Sequence, residues 1–238
     1  MSPSLLAVSH GTSDPDGAAA IELLVRRVAE RLPDVDVRAA FVDVQQPDPE
    51  AALAEMDGPT VVIPLLLSRG FHVRVDLGRA VRDRRGVVAT TPLGPDPRLA
   101  EVLAARIADV PHDASAPVVL AIAGSRDPAS LDDAEQMTAL LGAQLGRTVI
   151  PAFLAAREPR LDAVRAQHPD AAVATYLLGR GFFFDVARRL AGPALLCDPL
   201  LDGTVANPTE PPTALVDLIA SRYLEGVALL ESELVRAV

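Results

Sequence analysis

The sequence predicts an α/β protein made of two similar domains, each a four-stranded parallel sheet flanked by helices. Two observations predict this fold class. Short apolar runs alternate with helical patterns along the 238 residues, as is typical of strands and helices that build a parallel sheet. Three blocks of sequence also recur in the same order about 110 residues further on, which indicates two copies of one domain.

The first copy contains four apolar runs that predict strands, at residues 5–9, 36–42, 60–66 and 86–89. Several are continuously apolar, as expected for strands that are buried on both faces. Helical patterns predict helices at residues 16–31, 48–56, 73–84 and 96–108. Three of these helices begin at Asp-Pro pairs, in which the aspartate caps the helix and the proline suits its first turn. The aspartates are Asp14, Asp48 and Asp96.

The repeat divides the chain into two domains. Residues 6–9 (LAVS) match residues 120–123 (LAIA), and after a gap of one residue Gly11 matches Gly124. Residues 39–53 and 64–73 then match residues 151–164 and 175–184. We therefore predict a first half at residues 1–112 and a second half, a degenerate copy, at residues 116–238, with a boundary in the segment PHDASAP at 111–117.

The composition of the chain argues against several classes of function. The formal net charge is −10 and all 22 basic residues are arginine, which argues against a nucleic-acid partner. Because lysine is absent, no phosphate-binding lysine loop exists and no nucleotide is expected. The single cysteine, Cys197, allows neither an internal disulfide nor a zinc-thiolate cluster. We expect a cytoplasmic protein with no membrane contact, since we find neither a signal peptide nor an apolar run of about 20 residues.

Two of the four histidines follow predicted strands of the same sheet. His10 follows the first strand and His72 the third, and ligands of parallel sheets bind beyond the carboxyl ends of the strands. In the second half the position of His10 is predicted to be deleted and that of His72 is Phe183. Neutral imidazole binds Co, Ni, Fe or Zn and also accepts protons near neutral pH. We therefore predict a metal site, and we assign structural roles to His112 and His168.

Three further residues lie beside these histidines. Asp43 ends the second strand and is predicted to supply a carboxylate to the same edge, as ligand or base. Gly11 allows the main chain to approach a ligand closely. Arg69 lies in the loop before His72 and is suited to bind carboxylates, because a guanidinium pairs with them through two hydrogen bonds.

Together these motifs resemble the sirohydrochlorin chelatases of the CbiX type, the class of tetrapyrrole chelatases that works without ATP. The resemblance rests on LLAVSHGTSDP, FVDVQQPDPEAAL, VVIPLLLSRGFHVRVDL and PLGPDPRLAEVL in the first half, with a degenerate copy in the second. The family inserts a divalent metal into an anionic tetrapyrrole. The resemblance therefore implies insertion of cobalt or iron, with nickel possible, into sirohydrochlorin, for cobalamin or sirohaem biosynthesis.

The resemblance also implies roles for individual residues. His10 and His72 would hold the metal, and Asp43 stands where the family often has glutamate and would help in catalysis. Ser9, Gly11 and Arg69 would contact the tetrapyrrole. The two halves would face each other across a cleft, either as a monomer that is an internal pseudo-dimer or as a homodimer. Phe182, Phe183 and Phe184 would line the second half's wall of the cleft, unless they belong to the core.

Two other functions fit the same residues. A carrier of metal or tetrapyrrole with the same fold would use the histidines without turnover. A different two-copy α/β protein with a small ligand in its cleft would not need them.

Overall fold

In a computed structural model, residues 2–70, 77–82, 84–192 and 195–236 are described. The chain alternates strands and helices and forms two parallel sheets. The first half contains β1(Ser4–Ser9), α1(Pro15–Arg31), β2(Val37–Phe41), α2(Pro49–Ala54), β3(Thr60–Pro64), α3(Gly78–Val81), β4(Val87–Ala89) and α4(Pro97–Ala108). The second contains β5(Val118–Ile122), α5(Ala129–Leu145), β6(Val149–Phe153), α6(Leu161–Gln167), β7(Ala172–Tyr176), α7(Phe182–Ala191) and α8(Thr213–Arg236).

The first sheet confirms the predicted four parallel strands, in the order β2-β1-β3-β4. All three predicted caps are also present. The carboxylates of Asp14 and Asp48 each accept a hydrogen bond of 2.8 Å, from the amides of Gly17 and Ala51. Asp96 accepts one of 3.0 Å from the amide of Arg98. Each bond satisfies a main-chain donor that the first helical turn leaves without a partner. Of the helix predicted at 73–84, residues 73–76 and 83 lie outside the described residues.

The second sheet corrects the prediction of four strands in each half. In the part of the chain that the structure describes, this sheet has three strands, in the order β6-β5-β7. Where a fourth strand would pair with β7, Leu196 forms only an isolated parallel bridge to Val173. The equivalent of β4, a strand of three residues, is thus reduced to a single pairing.

The helix that ends each half packs against the other half. α4 packs on α5 and β7, whereas α8 packs on α1, β3 and β4. One hydrophobic core therefore joins the inner faces of both sheets to these helices. Fully buried members come from both halves, such as Leu5, Leu103, Leu120 and Ile219. Separate smaller clusters cover the outer face of each sheet. Among the described helices none is long and apolar enough to cross a membrane.

α8 approaches β3 closely in this exchange. A Cβ atom added at Gly226 would lie 2.2 Å from Cγ1 of Val61, a side chain with no solvent exposure. Glycine therefore allows α8 to pack directly on the sheet of the first half.

We predict that Gly226→Ala lowers the free energy of unfolding by about 1–3 kcal/mol, because the added methyl overpacks a closed interface. Thermal unfolding measures this as a fall in Tm of roughly 2–10 °C. Gly142→Ala in α5 is the control, since its Cβ would lie 3.3 Å from its nearest neighbour, the carbonyl oxygen of Arg147. Equal Tm values for the two variants would contradict the close packing of α8.

Candidate functional site

His10 is exposed and directly follows β1, at the carboxyl edge of the first sheet. Its carbonyl oxygen accepts a hydrogen bond of 2.9 Å from the amide of Asp43, which lies two residues beyond β2. The next residue, Gly11, has φ +89°, and a Cβ there would lie 2.1 Å from the carbonyl oxygen of Asp43. The structure therefore brings His10 and Asp43 together in adjacent loops, as the sequence predicts.

A tight turn fixes the main chain around Asp43. The amide of Gln45 donates to the carbonyl oxygen of Asp43 at 2.7 Å, and the amide of Val44 donates to its carboxylate Oδ1 at 2.8 Å. Val44 has φ +65°, an uncommon conformation for a β-branched residue, and such strain clusters at functional sites. The side-chain oxygen of Gln45 also accepts from the amide of Thr12 at 2.9 Å. Gln45, which sequence reasoning did not single out, thus joins the two loops.

The second half repeats this backbone geometry and corrects the predicted deletion. Gly124 also has φ +89°, and a Cβ there would lie 2.0 Å from the carbonyl oxygen of Ala155. The amide of Ala155 donates to the carbonyl of Ala123 at 2.9 Å, as that of Asp43 does to His10. Ala123 therefore occupies the position of His10, and no residue is missing. The same loop is built twice, but only the first copy carries an imidazole and a carboxylate.

Ser9 does not reach the surface. The residue is 2% exposed, and its Oγ has no hydrogen-bond partner among the residues that the structure describes. Ser9 is the last residue of the buried strand β1, and its predicted contact with the tetrapyrrole stays a prediction. The main chain of Gly11 is partly exposed.

Arg69 bonds to the second half. Its amide donates to Asp133 Oδ2 at 2.6 Å, and its Nε and Nη2 donate to Oδ1 at 2.9 and 2.7 Å. Asp133 lies in α5 and is 3% exposed. These bonds raise the pKa of the Arg69 guanidinium. Arg69 thus joins the two halves, and its predicted contact with substrate carboxylates stays a prediction. The metal-binding role of His72 also stays a prediction, since His72 lies outside the described residues.

Tyr176 makes a second contact to the same loop. Its hydroxyl donates to the carbonyl oxygen of Leu67 at 2.8 Å. Burial raises the pKa of Tyr176 well above its ordinary value, so the hydroxyl keeps its proton and remains a donor. Sequence reasoning missed both Asp133 and Tyr176, because a single aspartate in a helical pattern and a tyrosine at a strand end carry no local signal.

The three phenylalanines of the second half separate into different environments. Phe182 is 75% exposed, whereas Phe184 is 6% exposed and belongs to the outer core of the second sheet. Phe183 is partly buried against that core and contacts Phe182 edge to face, with ring centroids 5.4 Å apart. Only Phe182 therefore presents most of its ring to solvent.

His112 has the structural contacts expected of it. Its Nδ1 lies 2.7 Å from the carbonyl oxygen of Val110, and its Nε2 lies 2.8 Å from Nη1 of Arg147. Among the described residues, which do not include His72, no group of three or more histidine, cysteine, aspartate or glutamate side chains could hold a metal ion.

The CbiX family model matches residues 4–110. The first half of the chain belongs to the CbiX family. A sirohydrochlorin cobaltochelatase of Methanosarcina acetivorans is 27% identical over 120 residues, which cover 43% of this chain and 92% of that protein. One of Methanococcoides burtonii is 29% identical over 77 residues, covering 31% of this chain and 59% of that protein. The CbiX match includes His10, Asp43, Arg69 and His72.

Solved structures resemble the whole chain. SirB from Bacillus subtilis with Fe3+ has a TM-score of 0.76 at 22% identity, covering 98% of both chains. CbiX from denitrifying bacteria has a TM-score of 0.68 at 23% identity, covering 92% of this chain and 98% of that one. The CbiX domain and the second half together therefore have the chelatase-like fold of these proteins.

We predict that Gly11→Ala abolishes most metal insertion, because its Cβ would displace the carbonyl of Asp43 and with it the loop that carries His10. Gly124→Ala is the matched control, since it introduces the same overlap at the same φ in the second half. Both variants should lose stability, by roughly 1 kcal/mol or more. Urea unfolding and an absorbance assay of insertion measure the two effects.

Equal activity of the Gly11→Ala and Gly124→Ala proteins, at equal stability, would show that the loop after β1 has no special part in the reaction.

Proposed function

We propose that the chain inserts a divalent metal into sirohydrochlorin without a nucleotide, in sirohaem or cobalamin biosynthesis. The observation that carries this proposal is the exposed His10 beside Asp43 at the carboxyl edge of a CbiX domain. The two similar archaeal proteins are named sirohydrochlorin cobaltochelatases. The structural relatives include SirB in complex with cobalt and CbiX as the terminal enzyme of sirohaem biosynthesis. Cobalt and iron are therefore substrates to test, and nickel is a third.

His10 and His72 hold the incoming metal ion in this proposal. Both follow strands of one sheet in the sequence, and neutral imidazole is a good ligand for cobalt, iron and nickel. The ion arrives hydrated, and imidazoles replace part of its water before the ring nitrogens take over. A nitrogen that binds the ion cannot accept a proton at the same time, so the proton acceptor is a different group.

Asp43 is that acceptor. When a divalent ion enters the ring, two pyrrole N–H protons must leave, and the net charge of the ring is unchanged. The Asp43 carboxylate is exposed and its main chain is fixed beside His10 by hydrogen bonds on both sides. A carboxylate in this place accepts a proton and passes it to water.

The second half forms the opposite wall of the cleft. Its loop after β5 repeats the shape of the His10 loop but presents Ala123, so it supplies surface rather than ligands. Phe182 is the apolar contact for the macrocycle, because most of its ring is exposed. The fused halves act as an internal pseudo-dimer, alone or as a homodimer, in the cytoplasm.

The decisive experiment supplies excess sirohydrochlorin with Co2+, Fe2+ or Ni2+ in separate reactions without nucleotide and follows the absorbance of the product. Conversion well beyond one equivalent per chain supports the enzyme. A plateau at one equivalent identifies a carrier and refutes the chelatase. Coproporphyrin in a parallel series tests whether the cleft requires the many carboxylates of sirohydrochlorin.

We predict that His10→Ala and His72→Ala each lower kcat for metal insertion by at least about 100-fold, because one ligand of the ion is lost while the fold persists. Loop side chains at strand ends contribute little to the core. His168→Ala serves as the control. His168 directly follows α6 in the second half and is far in sequence from the loops after β1 and β3. Wild-type rates in both the His10 and His72 variants would show that neither histidine binds the metal during insertion.

A further inference from the structure

The loop that follows β3 is fixed by the second half. We call residues 65–70 the β3 loop. Its middle is held by Tyr176, whose hydroxyl donates to the carbonyl oxygen of Leu67. Its end is held by Asp133, which accepts from the amide, Nε and Nη2 of Arg69. Both contacting residues are buried, at 2% and 3% exposure. In sequence the β3 loop leads directly to His72.

Among the described residues, the equivalent loop of the other half has different partners. Val8 pairs with Pro64 and Ala121 pairs with Thr175. The next residue is Leu65 in the first half and Tyr176 in the second, so these two residues are equivalent. Leucine has no hydroxyl, and the first half therefore lacks the donor that Tyr176 supplies at this position. The loop after β7, residues 177–181, contains Arg180 at the position of Arg69.

The carboxylate of Asp133 in the second half is replaced by another residue type at the equivalent position of the first half. Asp14 and Asp127 occupy equivalent turns, because the amide of each donates at 3.1 Å to the hydroxyl oxygen two residues before it, that of Thr12 or Ser125. By the same spacing Asp133 of α5 corresponds to Ala20 of α1. Arg180 binds Asp198 at 2.6 Å instead, within its own half.

We propose that Asp133 and Tyr176 are positioning residues for metal insertion, which hold the β3 loop in the geometry that the reaction needs. This inference rests on the proposed function. The arginine occurs in both halves, but among the described residues the buried carboxylate and the buried hydroxyl contact the loop that precedes a histidine in sequence and not its equivalent. The loop after β7 is instead held within its own half, by the amide of Leu201, which donates to the carbonyl of Leu178 at 2.8 Å, and by Asp198, which binds Arg180.

The carboxylate is suited to this role. It is removed from water and accepts from a main-chain amide and a guanidinium together, so it fixes both the backbone and the side chain of Arg69. Charge-assisted bonds of this kind are short and strongly directional. Residues that orient a metal ligand without touching the metal typically change affinity or activity by 10- to 100-fold when they are replaced.

The first test measures amide hydrogen exchange in the peptide that covers residues 65–70. Asp133→Asn places an amide NH2 against the Arg69 donors, and Tyr176→Phe removes the bond to Leu67. Each variant is expected to speed exchange of this peptide by at least about tenfold. Exchange in residues 177–181 serves as the internal reference and should stay unchanged.

Tyr223→Phe is the matched control variant. Tyr223 is also buried, and its hydroxyl also donates to a main-chain oxygen across the two halves, that of Pro3 at 2.7 Å. Pro3 precedes β1, at the amino edge of the sheet. This variant should lose as much stability as Tyr176→Phe and leave exchange of the β3 loop unchanged.

The second test compares kcat and KM for insertion of Co2+ into sirohydrochlorin. Asp133→Asn and Tyr176→Phe are expected to lower kcat by roughly 10- to 100-fold with little change in the KM for the tetrapyrrole, whereas Tyr223→Phe keeps the wild-type kcat. Losses no greater than that of Tyr223→Phe, or unchanged exchange of the β3 loop, overturn the inference.

The wild-type assay separates this inference from the proposed function. A wild-type chain that inserts no metal refutes the proposed function and this inference with it. An active wild type with a fully active Asp133→Asn variant refutes the inference alone.

Discussion

The exchange of helices α4 and α8 is the packing constraint on which the rest of the structure depends. Each helix completes the core of the half to which it does not belong in sequence, so the two sheets are held by one hydrophobic core. Burial of apolar surface is the main favourable contribution to folding, and here most of it is available only when both halves fold together. This shared core therefore fixes the loops at the carboxyl ends of one sheet relative to those of the other.

The two halves share a turn but differ in the side chains that it presents. Both halves form the same glycine-based turn between the first two strands, with the same hydrogen bonds. One copy presents His10 and Asp43, and the other presents Ala123 and Ala155. The two copies thus share one backbone shape, and only the first presents an imidazole and a carboxylate there. Asp133 and Tyr176 show a second difference between the halves, because both are residues of the second half that form hydrogen bonds to a loop of the first.

The sequence predicts much of the first half. The Asp-Pro pairs locate three helix starts, because capping is a local interaction between neighbouring residues. The alignment of the two halves was wrong by one residue at the first strand. It paired Leu6 with Leu120, but Leu6 lies in the outer core and Leu120 in the inner core. A shift of one residue moves every side chain to the other face of a strand, and letter similarity among Leu, Ala and Val does not detect it. The destination of α8 and the Arg69–Asp133 contact depend on residues far apart in the chain, which no local pattern specifies.

X-ray absorption at the cobalt edge of the protein loaded with one equivalent of Co2+ reports which atoms bind the ion. We expect imidazole scattering from two histidines, with loss of one contribution in the His10→Ala protein. A shell made only of oxygen, or imidazole scattering that is unchanged by His10→Ala, would contradict a metal site at the carboxyl edge of the first sheet.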